Sequence, residues 1–406
     1  MLRLAWRNVW RQRRRTLLTV SAITFATLVL VFMLAIQYST YAIAIENTLS
    51  VFSGSFQVQR IGYQDDRRMD DTIADPNSLL AAISERLDTN AVAARAYGLG
   101  LISSKQRSQG VEVVGVMPTE EGRVSTVPHL IVEGRYLEKP EAMEAVLGKP
   151  LASNLQVEVG EELIFLGQGR HGSLAVAAIE VVGIFDSGAE ELDQGTVHMP
   201  LPAFQSTFDL RDDVHAIVVG NIPLAQLEAA SAATQALLPN GGVLEVVEWQ
   251  RLIPGLEQAI ALDQAGAWIM YLVLVIIVVL SILTTFLMSV MERIREFGVM
   301  LALGVSTRRI ASLIMLETTL LVGLGVSIGL LLGSAAVEYL RLNGLAIPGA
   351  SELASQFHLP SVIHPRLTPL SVIAGPLIVS VLTLLAALYP AGRITRLKPV
   401  DAMSAV

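Results

Sequence analysis

Hydrophobic and polar positions divide this chain into four long apolar runs and one long mixed stretch. The runs are 16–45, 269–291, 310–337 and 369–392. Each reaches the roughly 20 apolar residues that cross the hydrocarbon core of a bilayer. Three carry no charged residue, and the third holds Glu317. The stretch 46–265 separates the first run from the other three. Within it, 111–116, 161–166, 175–185, 214–219 and 243–247 are rich in Val and Ile between turn residues, which predicts strands. Residues 78–87 and 224–238 carry apolar positions at helical spacing, the second behind Pro223, a favourable helix-start residue. The pattern predicts a four-span α-helical membrane protein with a large α/β domain between spans one and two. A break near 90–110 or near 210 would divide that domain into two lobes.

The flanks add detail. Residues 2–15 read as a short amphipathic helix, with Leu2, Ala5, Trp6, Val9 and Trp10 at helical spacing, suited to a membrane interface. Span one is longer than a bilayer requires, and 249–268 also reads as helix, broken by Pro254. Together they would form a stalk. The predicted plan is therefore an interfacial helix at 1–15, span one with stalk at 16–45, the α/β domain at 46–265 and span two at 266–291. A loop at 292–309, span three at 310–340, an irregular loop at 341–368, span four at 369–392 and a tail at 393–406 complete it.

Composition and charge orient this plan. The chain is 52% hydrophobic and 16% charged, far below the charge content usual for soluble domains. Segments 1–15, 292–309 and 393–406 are net basic, whereas 46–265 has 14 basic and 31 acidic residues. Short basic segments stay in the cytoplasm. Both termini and loop 292–309 are predicted inside, and 46–265 and 341–368 outside, in the periplasm of a two-membrane bacterium. The uncharged first run is too long for the core of a cleaved signal peptide.

Candidate chemistry is sparse. There is no cysteine, which removes thiolate nucleophiles and cysteine-bound zinc. Gly167–Gly172 matches G-x-G-x-x-G, but a strand-like segment follows it where a dinucleotide site needs a helix, so a hairpin turn is expected. No P-loop motif occurs, so the chain is not expected to bind ATP or act as an enzyme itself. All six histidines lie outside the spans, which argues against intramembrane metal chemistry; His358 and His364 read as solvated loop residues. An acidic cluster at Glu190, Glu191 and Asp193 supplies no nucleophile with its base. Nothing points to nucleic acid.

Two motifs remain. Gly325, Gly329 and Gly333 form overlapping G-x-x-x-G pairs in span three, a packing seam between spans or between subunits. Glu317, near the start of that span, is expected to pair with Arg308 or Arg309 at the inner surface, or to snorkel there. The second motif is 291–304, Met-Glu-Arg-Ile-Arg-Glu-Phe-Gly-Val-Met-Leu-Ala-Leu-Gly: a short charged helix with a hydrophobic face, ended by Gly304 and shaped to dock into a groove of an inner-side partner.

This segment resembles the E-R-x-x-E-x-G-x-x-x-A-x-G coupling helix of the FtsX-like permease family, which includes macrolide-exporter (MacB-type) and lipoprotein-releasing (Lol-type) permeases. The basic helix before span one and the insert after it are similar, as are fragments 112–115, 134–135, 144–151 and 181–185. So are 390–393 and 398–402 of the tail. The resemblance implies a transmembrane subunit of an ABC transporter, paired with an identical or related second permease and with a cytoplasmic ATPase dimer. That ATPase, not this chain, would bind ATP and Mg. It implies ATPase-coupling roles for Glu292, Arg293, Arg295, Glu296, Gly298, Ala302 and Gly304. The absence of a fused ATPase and the size of the insert make the chain most similar to the lipoprotein-releasing branch. A lipoprotein, lipid or other hydrophobic cargo is then expected, with membrane lipid and a periplasmic lipoprotein carrier as further partners. Activation of a periplasmic protein, or efflux of a small hydrophobic compound, are the alternatives.

Overall fold

The computed structural model describes residues 2–239, 242–346 and 362–394. Two units are present. The first takes in the described residues through Tyr41 and from Ile260 onward; the second is Ala42–Ala259.

The first unit is helical. Its elements are α1 (Leu2–Arg11) and α2 (Arg13–Thr48, which continues past the unit), and, later in the chain, the long helix Pro254–Glu292, a short helix Ile294–Ala302, then Thr307–Asn343 and Pro369–Ile394. Four helices are long and apolar enough to span a membrane. Pro254 starts its helix, where a missing N–H costs nothing, and this same residue ends the preceding turn, Trp249–Leu252. Ile23, Leu30 and Leu34 of α2 pack with Tyr271, Val275, Ile282, Leu321, Val322 and Val379 in one shared core. Polar side chains join α2 to the Pro254 helix: Tyr271 donates to Gln37 (2.7 Å), and Tyr41 donates to Asp263 (2.5 Å).

Gly325, Gly329 and Gly333 are buried against α2. A Cβ on Gly329 would lie 2.6 Å from the Thr24 carbonyl oxygen, and one on Gly325 2.7 Å from Ile23 Cβ. Thr24 Oγ1 donates to the Gly325 carbonyl at 3.1 Å. This close backbone approach is what small residues permit in a bilayer.

The second unit carries ten strands in one sheet: β1 (Phe56–Arg60), β2 (Val92–Ser103), β3 (Ser108–Val116), β4 (Ile131–Gly134), β5 (Glu144–Gly148), β6 (Glu162–Gln168), β7 (Leu174–Phe185), β8 (Thr196–Pro200), β9 (Ala216–Val219) and β10 (Leu244–Glu248). Helices α3 (Pro76–Leu87), α4 (Pro118–Val124), α5 (Lys149–Leu155), α6 (Glu190–Gly195), α7 (Leu201–Phe208) and α8 (Leu224–Gln235) cover it. With Trp249–Leu252 as α9, the four helices after it are α10, α11, α12 and α13.

Six strands close on themselves, β2–β3–β8–β5–β7–β6 and back to β2. The β3–β8 and β5–β7 pairs are parallel. Alternation places Leu163, Phe165, Ala175, Ala177 and Ile179 inside this barrel and leaves their neighbours exposed. One edge of β2 is shared, Val92–Arg95 pairing with β9 and Gly100–Ser103 with β6, so β10, β1 and β9 extend the same sheet. The two-lobe expectation is therefore corrected. β2 runs unbroken through 92–103, and β9 belongs to the common sheet, so neither position is a boundary. Gly167–Gly172 forms the β6–β7 connection, an antiparallel hairpin with positive φ at His171 and Gly172.

The loop 341–368 was expected to be irregular. Its described ends instead form a short antiparallel ladder, Leu345–Ala346 with Val362–Ile363. His358, most of that loop and the tail motif 398–402 lie outside the described residues.

Candidate functional site

The 291–304 segment sits on the helical unit as a bent continuation of α10. Arg293 occupies the break between α10 and α11 (Ile294–Ala302). At the other end, Gly304 takes φ +87°, a conformation that favours glycine. Gly304 N–H then bonds the Leu301 carbonyl and Val305 N–H the Met300 carbonyl, both at 3.0 Å.

Charge fixes this helix in place. Arg293 donates to Glu317 of α12 at 2.9 Å, both side chains being only 12% exposed, and Asn8 of α1 donates to the second Glu317 oxygen at 2.7 Å. Arg11 pairs with Glu296 at 2.9 Å, and Arg15 with Glu292 at 3.6 Å. Arg293 also lies over the fully buried Phe297 ring, 5.2 Å from its centroid. Phe297 packs with Val290, Ile310, Ile314 and Ala391. A small polar cavity remains among Asn8, Arg15, Arg293, Glu317 and Thr318.

The expected Glu317 partner is thus corrected. Arg308 and Arg309 lie nine and eight positions earlier on the same helix, more than two turns away, and both are exposed. The hairpin-like return of α11 brings Arg293 to Glu317 instead. The amphipathic α1 also differs from its simple stripe. Ala5 and Val9 are buried, whereas Leu2, Trp6 and Trp10 stay exposed.

α11 therefore has two faces. Phe297 and Gly298 point into the chain's own core. Arg295, Val299 and Ala302, spaced at one helical turn, are exposed with Leu303. The hydrophobic side that sequence alone offered to a partner is occupied by this chain, and a mixed face with one cation is left open. Of the candidate residues, Glu292, Arg293 and Glu296 are tied to neighbouring helices, Gly298 is buried, Arg295 and Ala302 face outward, and Gly304 ends the element. The anchors Asn8, Arg11 and Arg15 were not singled out from sequence. Their signal was present as a basic helix near acids of a later loop, but not as pairs.

In the sheet unit, three of the fragments resembling the family, 134–135, 144–151 and 181–185, meet around β7. Arg135, beyond β4, forms a forked pair with Glu144 of β5 (2.7 and 3.0 Å). The hydrogen bonds from Arg135 hold the Glu144 carboxyl below its ordinary range. Two histidines are buried and neutral. Burial, with the Arg95 charge, pushes His198 down to about 3, and burial lowers His215 to about 4. His198 Nδ1 meets Tyr136 OH at 3.0 Å, and His215 Nδ1 accepts from Tyr97 N–H at 3.0 Å. Among the described residues no group of three or more metal-ligating side chains occurs.

These features define a class: a multi-pass helical membrane protein with a sheet-rich domain inserted after its first span and a charged helix returned between spans two and three. The family model described as MacB-like periplasmic core domain matches residues 16–237, and that described as FtsX-like permease C-terminal matches 268–399. The first covers more than half of the chain, which belongs to this FtsX-like, MacB-type family of ABC transporter permeases of the inner membrane. It is 22% identical to a lipoprotein-releasing system transmembrane protein LolC of Neisseria meningitidis, over 84% of this chain and 83% of that one. It is 23% identical to LolE of Haemophilus influenzae, over 75% and 74%. Among solved structures, the periplasmic region of MacB from Actinobacillus actinomycetemcomitans is similar at 12% identity and a TM-score of 0.36, covering 53% of this chain and 97% of that one. The extracellular domain of the YknZ transporter matches at 12% and 0.36, covering 48% and 99%.

Proposed function

We propose that this permease transmits the ATP-driven motion of a separate cytoplasmic ATPase to its periplasmic sheet domain, and that the work releases a lipoprotein from the membrane. The two-faced α11 carries the proposal. Its inner face and the Arg11–Glu296 pair bind it to the chain, and the Arg15–Glu292 and Arg293–Glu317 pairs fix the bend just before it to α2 and α12, while Arg295, Val299, Ala302 and Leu303 remain for a partner. A push on that face would reach α2 and α12 through charged contacts rather than be lost in a flexible loop. ATP and Mg would be held by the ATPase. Both termini and α11 then lie in the cytoplasm, in keeping with their basic charge. The lipoprotein cargo is supported by the names of the LolC and LolE relatives. A second permease, identical or related, would complete the transporter, and a periplasmic carrier would take up the released lipoprotein.

The test is affinity capture of the tagged protein in mild detergent, with mass spectrometry of proteins and lipids. An ATPase copurifying with lipoprotein supports the proposal. An ATPase with a periplasmic enzyme and no lipid would assign the motion to activation of that enzyme. A well-folded sample with no ATPase sinks the transporter reading.

A further inference from the structure

The C-terminal end of α2 widens into a π-turn, Leu49–Ser53, closed by Gly54 N–H on the Leu49 carbonyl at 2.9 Å. A helix end leaves its last four carbonyls without helical partners. Here each finds a different donor from the sheet unit. Thr126 N–H takes Ser50 (2.9 Å), Ser125 Oγ takes Val51 (2.7 Å), Arg95 Nη1 takes Phe52 (2.6 Å) and Gln57 Nε2 takes Ser53 (2.8 Å). π-turns of this kind are rare and occur preferentially at functional sites.

Arg95 is the centre of this capture. It lies on β2, is fully buried, and forks onto the fully buried Glu121 of α4 (2.5 and 3.2 Å). Its guanidinium sits 4.4 Å from the centroid of the Phe52 ring. One side chain thus contacts the helix end through a carbonyl and a ring, the sheet through its own backbone, and α4 through a carboxylate. The negative end of the α2 dipole faces this buried cation, a favourable arrangement. Burial of an ion pair is weak support for stability in itself, and its best-attested use is to fix one arrangement among several.

We propose that the Arg95–Glu121 pair is a positioning device that locks the C-terminal end of α2 to the sheet. Motion of that helix is then delivered to β2 and α4 as a rigid body instead of being absorbed at the helix end. This deepens the force-transmission reading and rests on it.

The test uses the full-length protein in lipid nanodiscs. The chain has no cysteine, so spin labels report only where cysteines are placed. Glu46→Cys with Arg123→Cys spans the joint, and Lys105→Cys with Glu133→Cys serves as a ruler within the sheet unit. Arg95→Lys keeps a charge near Glu121 but lacks the planar fork that reaches Glu121 and the Phe52 carbonyl together. The expected result is a broadened Glu46–Arg123 distance distribution with an unchanged ruler. With the copurified ATPase, cargo released per ATP hydrolysed falls about five-fold while hydrolysis continues, the scale for weakening one coupling element. A narrow joint distribution with an intact ruler overturns the proposal, and so does a broadened joint with undiminished release per ATP. If the ruler itself broadens, Phe52→Leu, which removes the ring and keeps the carbonyl, decides by the same readings. The distance measurement needs neither ATPase nor cargo, so its failure is distinct from failure of the transporter reading.

Discussion

The helical unit and the sheet unit differ in how completely each encloses its most buried ion pair. In the helical unit, the ion pairs around α11 are graded: Arg293–Glu317 is nearly enclosed, Arg15–Glu292 is half open, and Arg11–Glu296 is exposed. In the sheet unit, Arg95–Glu121 is wholly enclosed, with each guanidinium and carboxylate group satisfied by close partners. An enclosed pair is costly to break because the remaining charge has no solvent. An exposed pair contributes little and can exchange partners. The gradient thus separates what holds α11 in place from what it can offer to another protein.

Removing the enclosed anchor tests this comparison most strongly. Glu317→Ala would leave Asn8 without its acceptor and Arg293 with only its longer 3.5 Å contact to Glu296, and a loss of about 3 kcal/mol is expected from the behaviour of broken buried pairs. Thermal unfolding in detergent should show a clear fall in midpoint, whereas Arg308→Ala should leave it nearly unchanged. Equal losses in both variants would mean that Glu317 is not held by Arg293.

The glycine seam gives the next effect. Gly329→Ala places a methyl 2.6 Å from the Thr24 carbonyl oxygen, and overpacking of this kind costs roughly 1–3 kcal/mol. Gly323 on the same helix has nothing within 4 Å. Alanine there should be neutral or stabilising by about 0.5 kcal/mol, since glycine is a poor helix former. Midpoints of the two variants compared side by side settle it; matching values would place the α2 contact elsewhere.

The sheet unit has its own pH signature. His215 titrates near 4 when folded, chiefly through burial, and near 6.5 when unfolded. Acid therefore favours the unfolded state, which binds the proton more readily. The stabilisation is complete above about pH 6.5 and drains as pH falls toward 4, at about 1.4 kcal/mol per unit at most. Urea unfolding followed by tryptophan fluorescence should show a shallower pH slope for His215→Gln. An unchanged slope would mean that the ring is already solvated.

What the sequence made legible follows from the range of each signal. The four spans are local and continuous, so hydropathy found them. Val/Ile alternation found β3, β6, β7, β9 and β10. It missed β1, where Gln57 and Gln59 are buried beside Phe56 and Val58 and Gln59 donates to Gln57, because two glutamines in a five-residue strand dilute the apolar, β-branched signal. It missed β8, which ends in Pro200 and carries His198. Barrel closure was not visible because the parallel β3–β8 and β5–β7 pairs join distant segments, and register between such segments leaves no local mark. The site divides the same way. The α11 motif is contiguous and was read directly, whereas Asn8, Arg11, Arg15 and the true partner of Glu317 are brought together only by the return of the chain.

Arg295 sharpens the comparison with the smallest effect on stability and a large one on function. It is exposed on the free face of α11, and surface substitutions away from special features stay within about 0.5 kcal/mol. Arg295→Glu should therefore leave the unfolding midpoint unchanged. Reversing the one cation of that face would place like charges against any acidic groove, which reduces capture without disturbing the fold. The expected outcome is normal expression and unfolding with at least about ten-fold less ATPase recovered in the affinity capture, the consequence of losing roughly 1.4 kcal/mol of binding. Glu296→Lys provides the contrast. It breaks the exposed pair with Arg11 that ties α11 to α1, so it should retain the ATPase but lower cargo release per ATP. If both variants lose the ATPase equally, the division of α11 into an anchored face and an offered face is wrong, and the whole helix acts as one binding surface.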